Sequence, residues 1–361
     1  MNRCAGSFEV GRARGGRPTI STTMNRATVQ LAWQGRGGDR TPVQPVWLEP
    51  VGGTSGPVRF IHGDNQAVLA SMMGELGGKA SLVYLDPPFF TMRDFDRVTR
   101  RPNGQSAPIR ILTPAFEDRW QSLGSYLDAL RERLEVLRGL LAPHGSVVVH
   151  VDPRTSHYIR VLGDEIFGPD AFASEIVWRY RRWPSRTPNF QRVHDVLLRW
   201  VADPTTPPRF NQLYEDLAPS TVKTWGRGKQ RAVFDGEGRR RRSSTEKSES
   251  PGVPLGDVWD ISIVAPVAKE RTGYPTQKPE ALLERLIEAC TKPGDLVIDP
   301  YMGSGTTLSV AAKLGRKALG VDQSHVAVAV TRERMQRDGV EYGEYRAVPI
   351  GARDEVRRQA P

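Results

Sequence analysis

Apolar residues recur along this chain with two periods. Short, nearly continuous runs read as buried strands, and repeats at three- and four-residue spacing read as amphipathic helices. The first run, VRFIHGD (residues 58–64), predicts a strand closing on Gly-Asp. A helical stretch separates it from SLVYLDPPFF (residues 81–90), where Leu82, Val83, Tyr84 and Leu85 lead to Asp86 and a proline pair ends the strand at once. Leu127, Leu130, Leu134, Leu137 and Leu141 then repeat at helical spacing, with Ser125 and Asp128 placed as a capping box. PHG breaks this helix before the strand SVVVHVD; a helix near 157–166 and a strand near 175–180 follow. Farther on, PEALLERLIEAC predicts a helix with Pro279 in its first turn. A KPGD turn leads to the strand LVIDP, a glycine loop, the helix TTLSVAAKL stopped by Gly315, the strand KALGVD and a helix over 324–337. Strand and helix alternate, so an α/β fold with a mostly parallel sheet is expected.

The alternation lapses between about 179 and 258, where RWPSRTPNF and GRRRRSSTEKSESPG predict an inserted, partly mobile module. Residues 1–57 (GRARGGRP, QGRGGDR, VGGTSGP) are rich in Gly, Arg and Pro without periodicity and read as disordered, with Met24 standing beside Met1 as a candidate start. Residues 341–361 carry no signal and read as a tail.

Charge sharpens this picture. The 361 residues hold 51 Lys and Arg against 41 Asp and Glu, a formal net charge of +10. Residues 176–250 alone hold 16 basic against 8 acidic residues, and residues 1–57 hold 7 against 3. A local basic window points to a polyanion, most simply nucleic acid, with a solvated face as the equal alternative on charge alone. Two cysteines, Cys4 and Cys290, supply neither a disulfide framework nor a zinc site, and the six histidines lack ligand spacing, so no metal is expected. No long apolar segment and no signal peptide are visible, so membrane association is not expected and the location is read as cytoplasmic.

The chemistry concentrates in VIDPYMGSGTTLSVAAKLGRKALGVD, a strand, glycine turn, helix, strand and acid in succession. Such a unit holds a nucleotide cofactor. Gly303 and Gly305 let the backbone approach a ligand, and the helix N-terminus beyond them offers free N–H groups to a carboxylate or phosphate. Asp322, closing the next strand, is placed for ribose hydroxyls. The third glycine of the dinucleotide fingerprint is absent, since Thr306 and Thr307 follow the turn directly, which argues against NAD and FAD. Asp299 ahead of the loop suits a cationic amine. S-adenosylmethionine fits all three features, with a carboxylate for the amides, an amine for the acid and a ribose for Asp322.

With these motifs the chain resembles the DNA amino-methyltransferases of the permuted beta group, in which the catalytic motif precedes the cofactor motif. DPPF (Asp86, Pro87, Pro88, Phe89) matches the catalytic tetrapeptide of that family. DPYMGSGTT matches its cofactor loop with Asp299, Pro300, Tyr301, Gly303, Ser304, Gly305, Thr306 and Thr307. GYPTQKP, with Thr276, Gln277 and Lys278, matches a segment that also lines the cofactor pocket, and IHGDN, with Asp64, resembles the stretch reaching the adenine end. The resemblance spans roughly 58–337 apart from the basic segment.

It implies a Rossmann-like S-adenosylmethionine-dependent methyltransferase sheet, mostly parallel, with helices on both faces. Residues 58–178 would form the catalytic half, 179–258 the inserted target-recognition region and 259–340 the cofactor half. The strands ending at Asp86 and Asp299 would lie side by side at the topological switch point. The substrate implied is duplex DNA with a flipped-out base and no metal; a homodimer and a cognate restriction enzyme stay open. Asp86 and the Pro87 carbonyl would each accept one N–H of an exocyclic amine while Phe89, where Tyr is commoner, stacks on the base. Cytosine-N4 enzymes of the family usually have Ser at the position of Asp86, so adenine N6 is favoured over cytosine N4. Methylation of RNA or of a protein amide, and a silent DNA-binding module, are the remaining alternatives.

In the basic segment, Arg181, Arg182, Trp183 and Arg186 mix cations with an aromatic ring as strand-tracking surfaces do. Arg239, Arg240, Arg241 and Arg242 read as a mobile loop contacting phosphates. Trp178 reads as core. His194 and Asp195, neighbours on a strand and so on opposite faces, read as structural.

Overall fold

The computed structural model describes residues 29–37, 42–53, 55–103, 106–184, 186, 188–227, 232–242 and 249–351. The first part of the chain contains β1 (Val46–Gly53), β2 (Val58–His62), α1 (Asn65–Ser71), α2 (Met73–Leu76) and β3 (Ala80–Leu85). A long hairpin follows, β4 (Arg93–Asn103) and β5 (Ser106–Asp118), then α3 (Leu123–Leu140), β6 (Leu141–Val151) and α4 (Ser156–Phe167). The middle of the chain forms β7 (Phe172–Arg179), β8 (His194–Val201), β9 (Tyr214–Glu215), α5 (Pro219–Trp225), β10 (Ala232–Phe234), β11 (Arg240–Arg242), β12 (Val253–Pro254) and β13 (Val258–Asp260). The last third is α6 (Glu280–Cys290), β14 (Leu296–Asp299), α7 (Thr306–Lys313), β15 (Lys317–Asp322), α8 (His325–Arg337) and β16 (Tyr342–Pro349).

Ten strands form one sheet in the order β1-β16-β2-β15-β14-β3-β6-β8-β7-β13. The run from β16 to β6 is parallel throughout. Successive side chains of a strand face opposite ways, and here both faces are covered, so the strands are apolar without alternation. Val83 and Leu85 join a core with α1, α3 and α4, whereas Leu82 and Tyr84 join a core with α6, α7 and α8. β14 pairs with β3, Ile298 beside Val83. From β14 the chain proceeds to β15 on one side, and from β3 to β6 on the other. The switch point therefore falls between the strand tips carrying Asp299 and Asp86, as expected.

Four expectations need correction. Residues 29–37, read as disordered, dock on α3 and α4: Leu31 and Trp33 pack against the core, Trp33 Nε1 donates to Asp128 at 2.9 Å, and Arg36 pairs with Glu165. Three anchoring side chains in a polar, glycine-rich background leave no periodic trace. Gly124 is kept open by this contact, since a Cβ there would lie 2.6 Å from the Trp33 ring. Residues 46–53, within the same reading, form β1 and join the main sheet beside β16, while residues 1–28, 38–41 and 54 lie outside the described residues. The supposed tail supplies β16, parallel to β2 and antiparallel to β1.

The helix cap is likewise one turn earlier than read. Ser122 accepts from Ser125 N–H and Ser125 Oγ accepts from Ser122 N–H, both at 3.1 Å, while Asp128 serves Trp33.

The largest correction concerns 179–258, which is not one insert. β8 lies within the sheet, antiparallel to β6 and β7, and its buried run HDVLLRWV was masked by polar flanks. The segment splits in two. Residues 180–193 leave the sheet at the edge of Asp86, because Val151 pairs with Val196 and Arg179 with His194. Residues 202–257 leave at the opposite edge, where Val201 pairs with Ser146 and Ala202 N–H donates to Gly145.

Candidate active site

Asp86 ends β3 with one carboxylate oxygen, Oδ2, paired to the ammonium of Lys278. The other, Oδ1, is buried and accepts no hydrogen bond from the chain. A buried polar atom without a partner calls for an explanation. Arg97 Nε, Tyr126 OH and Arg131 Nε share this state, and Asp86 Oδ1 is set apart by its place at the strand tip adjoining the glycine loop. Phe89 lies beside this pair, with the Lys278 ammonium 4.9 Å from its ring centroid and the His150 ring 5.6 Å away. Lys278, expected to line the cofactor pocket, thus belongs to the carboxylate.

The chain leaves the proline pair through an uncommon turn. Phe90 and Met92 have φ of +57° and +59°, left-handed values that cost a side-chain-bearing residue energy. Asp118, at the end of β5, holds this turn. Its carboxylate accepts from the N–H groups of Phe89, Phe90 and Thr91, from Thr91 Oγ1 and from Trp120 Nε1, at 2.7–3.1 Å. No spacing rule links Asp118 to Asp86, and sequence reading missed it. Asp118→Ala leaves three partly buried N–H groups without their acceptor. We expect a loss of about 3 kcal/mol or more in stability by denaturant unfolding. A loss of about 10² in methyl transfer is expected from the displaced Phe89, read by labelled-methyl incorporation.

The glycine loop expected to hold the cofactor is the turn after β14. Gly303 and Gly305 have φ of +49° and +69°. A Cβ on Gly303 would meet the Tyr274 ring at 3.1 Å, and one on Gly305 would meet Thr331 Oγ1 at 2.8 Å. Asp322 binds the loop to its own strand tip, accepting from Gly303 N–H and Ser324 N–H at 2.9 Å. Asp299 accepts from Tyr301 N–H at 3.0 Å. Ser304 Oγ and Thr306 Oγ1 lie 2.9 Å apart, Thr307 is buried beside them, and Arg334 donates to the Ser304 carbonyl at 2.8 Å. Burial pushes the Asp299 carboxyl up to about 7 and that of Asp322 up to about 6. Two acids whose charge is disfavoured beside a glycine loop suit a cationic ligand with its own carboxylate, and S-adenosylmethionine carries both.

Other residues expected at the cofactor have partners within the chain. Gln277 spends its carboxamide inside its own loop, accepting from Thr272 N–H and Oγ1 and donating to Glu270 O. Thr276 lends its carbonyl to Lys278 at 3.3 Å. Asp64 caps α1 and pairs with Arg133, while its neighbour Asn65 donates to the Pro300 carbonyl at 2.8 Å. Asn65 rather than Asp64 therefore touches the cofactor loop.

Of the basic residues, Arg181, Arg182, Trp183 and Arg186 are exposed on the loop leaving the Asp86 edge, Trp183 to 92%. Trp178 is buried, as read. Arg239, instead of a free phosphate contact, pairs with Glu237. Arg240, Arg241 and Arg242 form β11, paired with β10, in the segment between β8 and β13; their side chains lie outside the described residues. Asp195 is structural but close to the chemistry. It accepts from Tyr180 OH at 3.0 Å and faces His150 Nε2 at 3.4 Å, and His150 Nδ1 meets Tyr84 OH at 2.8 Å. Burial pushes the Asp195 carboxyl upward, but the hydrogen bond to His150 and the nearby cations outweigh it and hold it below the usual range. Among the described residues no cluster could hold a metal ion, and no helix is long and apolar enough to cross a membrane.

Adjacent parallel strand tips, one bearing a glycine loop and the other an unsatisfied carboxylate beside an aromatic ring, define a cofactor-dependent transferase of the doubly wound α/β class. A family model described as DNA methylase, of the N6/N4 type, matches residues 80–333, and the chain belongs to this family. It is a DNA methyltransferase with S-adenosylmethionine as methyl donor. The type II methyltransferase M.EcaI of Enterobacter cloacae is 28% identical over 343 residues, covering 80% of this chain and 72% of that protein. The DNA adenine methyltransferase YhdJ of Escherichia coli (strain K12) is 29% identical over 274 residues, covering 74% and 81%. Among solved structures, the cytosine-N4-specific PvuII DNA methyltransferase has a similar fold, with a TM-score of 0.51 at 17% identity over 81% of this chain and 96% of that one.

Proposed function

We propose that the enzyme methylates the N6 amine of an adenine flipped out of duplex DNA. The observation that carries this is Asp86 Oδ1, buried without a partner at the strand tip adjoining the glycine loop. An exocyclic amine is a weak nucleophile because its lone pair is delocalised into the ring. Asp86 Oδ1 accepting one N–H and the Pro87 carbonyl accepting the other favour tetrahedral geometry at nitrogen, and fixed acceptors of this kind are worth ~10²–10³ in rate each. Pro87 is fixed in φ and Pro88 follows it, so the carbonyl does not drift. Phe89 stacks on the base. Bound S-adenosylmethionine supplies the electrophilic methyl, with Asp299 and Asp322 taking its amine and ribose. An aspartate in this position, where the cytosine-N4 enzymes of the family usually have Ser, supports adenine, and the adenine specificity in the name of the relative YhdJ agrees with it.

The deciding experiment is digestion of DNA methylated by the purified enzyme, with mass spectrometry of the nucleosides. N6-methyladenine is expected; N4-methylcytosine in its place refutes the base assignment. DNA contact is assigned to the loop after β7. Replacing Arg181, Arg182 and Arg186 together by Ala is expected to lower the slope of log affinity against log salt by up to about 3. An unchanged slope removes this loop from the interface.

A further inference from the structure

The two oxygens of the Asp86 carboxylate have different surroundings. Oδ1, the acceptor assigned to the base amine, is buried and unpartnered, whereas Oδ2 is paired with the ammonium of Lys278. That ammonium is itself held in place. It donates to Asp86 Oδ2 and, at 3.3 Å, to the Thr276 carbonyl, and it lies 4.9 Å from the Phe89 ring centroid. Lys278 is only 7% exposed, so water does not compete for these contacts. The loop that carries it is closed by its own bonds. Gln277 accepts from Thr272 N–H and Oγ1 at 2.9 Å and donates to Glu270 O at 2.8 Å, and Glu280 N–H donates to the Glu270 carboxylate at 2.8 Å. Thr276 has φ of +57°, a left-handed value that a β-branched residue adopts only where its surroundings impose it. The turn ahead of Lys278 is thus set by these bonds and not by local preference.

We infer that Lys278 is the positioning residue for Asp86: it fixes the plane of the carboxylate so that Oδ1 meets the amine, and it keeps that carboxylate ionised. The inference rests on the proposed amine methylation. The last torsion of an aspartate is broad, so β3 fixes where Asp86 sits but not which way its oxygens point. A fixed cation on Oδ2 supplies the missing constraint and leaves Oδ1 free to accept from a ligand. Charge calls for the same partner. Asp299, on the adjoining strand, is pushed up to about 7 by burial, with the Asp86 charge adding to the rise. Tyr84 and Tyr274 also feel the Asp86 charge, and burial raises both phenols. None of these three groups offers Asp86 a positive charge, whereas the Lys278 ammonium does and so favours the ionised acid. In that form Asp86 is an acceptor and never a donor, as the amine requires.

A pH profile separates this role from simple packing. Lys278→Met keeps the length of the side chain and removes its charge. Single-turnover methyl transfer is measured at saturating cofactor on a duplex carrying the mapped target. At neutral pH the rate is expected to fall about 10²-fold, because the acceptor is no longer aimed. The acid limb of the profile is expected to move up by about 1–3 pH units, the range over which a neighbouring opposite charge shifts a carboxyl. The sign is fixed: without the cation the acid protonates more readily, so activity is lost at a higher pH. Lys278→Arg keeps a cation for Oδ2 and is expected to retain the wild-type limb. Cofactor affinity by calorimetry verifies folding, and Lys278→Gln serves where the methionine variant does not fold. A lysine that only packs predicts a lower rate with the limb unmoved. That result, an undiminished rate in the uncharged variant, or an arginine variant whose limb moves equally far overturns the inference. An unmoved limb beside an inactive Asp86→Asn sinks the inference alone. If wild type forms neither N6-methyladenine nor N4-methylcytosine, the functional reading fails first, and separately.

Discussion

Asp86→Ala is expected to lower single-turnover methyl transfer by about 10³ or more while S-adenosylmethionine binds within about threefold of wild type. The asymmetry follows from position. Asp86 closes β3 and Asp299 closes β14, so the variant removes the acceptor for the amine without touching the glycine loop or Asp322. It also strands a buried ammonium on Lys278, and breaking a buried pair costs about 3–5 kcal/mol. Asp86→Asn separates the two effects, because its amide oxygen still accepts from lysine while the carboxylate charge is gone. Both variants should retain cofactor affinity by calorimetry, and both should fail to incorporate labelled methyl. Normal turnover by Asp86→Asn would remove Asp86 from the chemistry.

The parts of this site legible in the sequence are those in which short-range chemistry repeats a rule. A buried strand that ends on Asp-Pro-Pro, and a glycine turn between strand and helix, declare themselves because breakers and apolar runs adjoin them. Their adjacency, across 213 residues of sequence from Asp86 to Asp299, follows from the handedness and order of a doubly wound sheet. What stayed hidden depends on side chains meeting from distant segments. Asp118 reaches the catalytic turn only because a 26-residue hairpin folds back on itself, from Arg93 to Asp118. Lys278 reads as cofactor lining, and only the loop ahead of α6 aims it at Asp86. The error over β8 has the opposite cause. Its apolar run was visible, but polar flanks suggested one insert, and an antiparallel strand needs no helix before it to join the sheet.

Cofactor affinity should rise with pH while the stability of the cofactor-free enzyme falls, both from the same two acids. Burial raises Asp299 to about 7 and Asp322 to about 6; the neighbouring Asp86 and Asp322 charges add to the rise at Asp299, while the N–H groups of Ser324 and Gly303 restrain it at Asp322. Their unfolded-state value is about 3.9. A folded value raised above the unfolded one gives stability that is complete below about pH 3.9 and is lost as pH climbs through about 6 and 7. The cofactor-free enzyme should therefore melt at a lower temperature at pH 8 than at pH 5.5, as far as these groups decide it. Binding runs the other way, since the cationic amine and the ribose hydroxyls want the ionised acids. Below pH 6 the dissociation constant should grow about tenfold per pH unit for each acid that must be ionised. Calorimetry across pH 5.5–8 measures this directly. Asp322→Asn should flatten the lower part of the curve and leave the part near pH 7, which belongs to Asp299. Affinity independent of pH over that range would mean that neither acid faces the ligand, and the cofactor site would then lie elsewhere on the sheet edge.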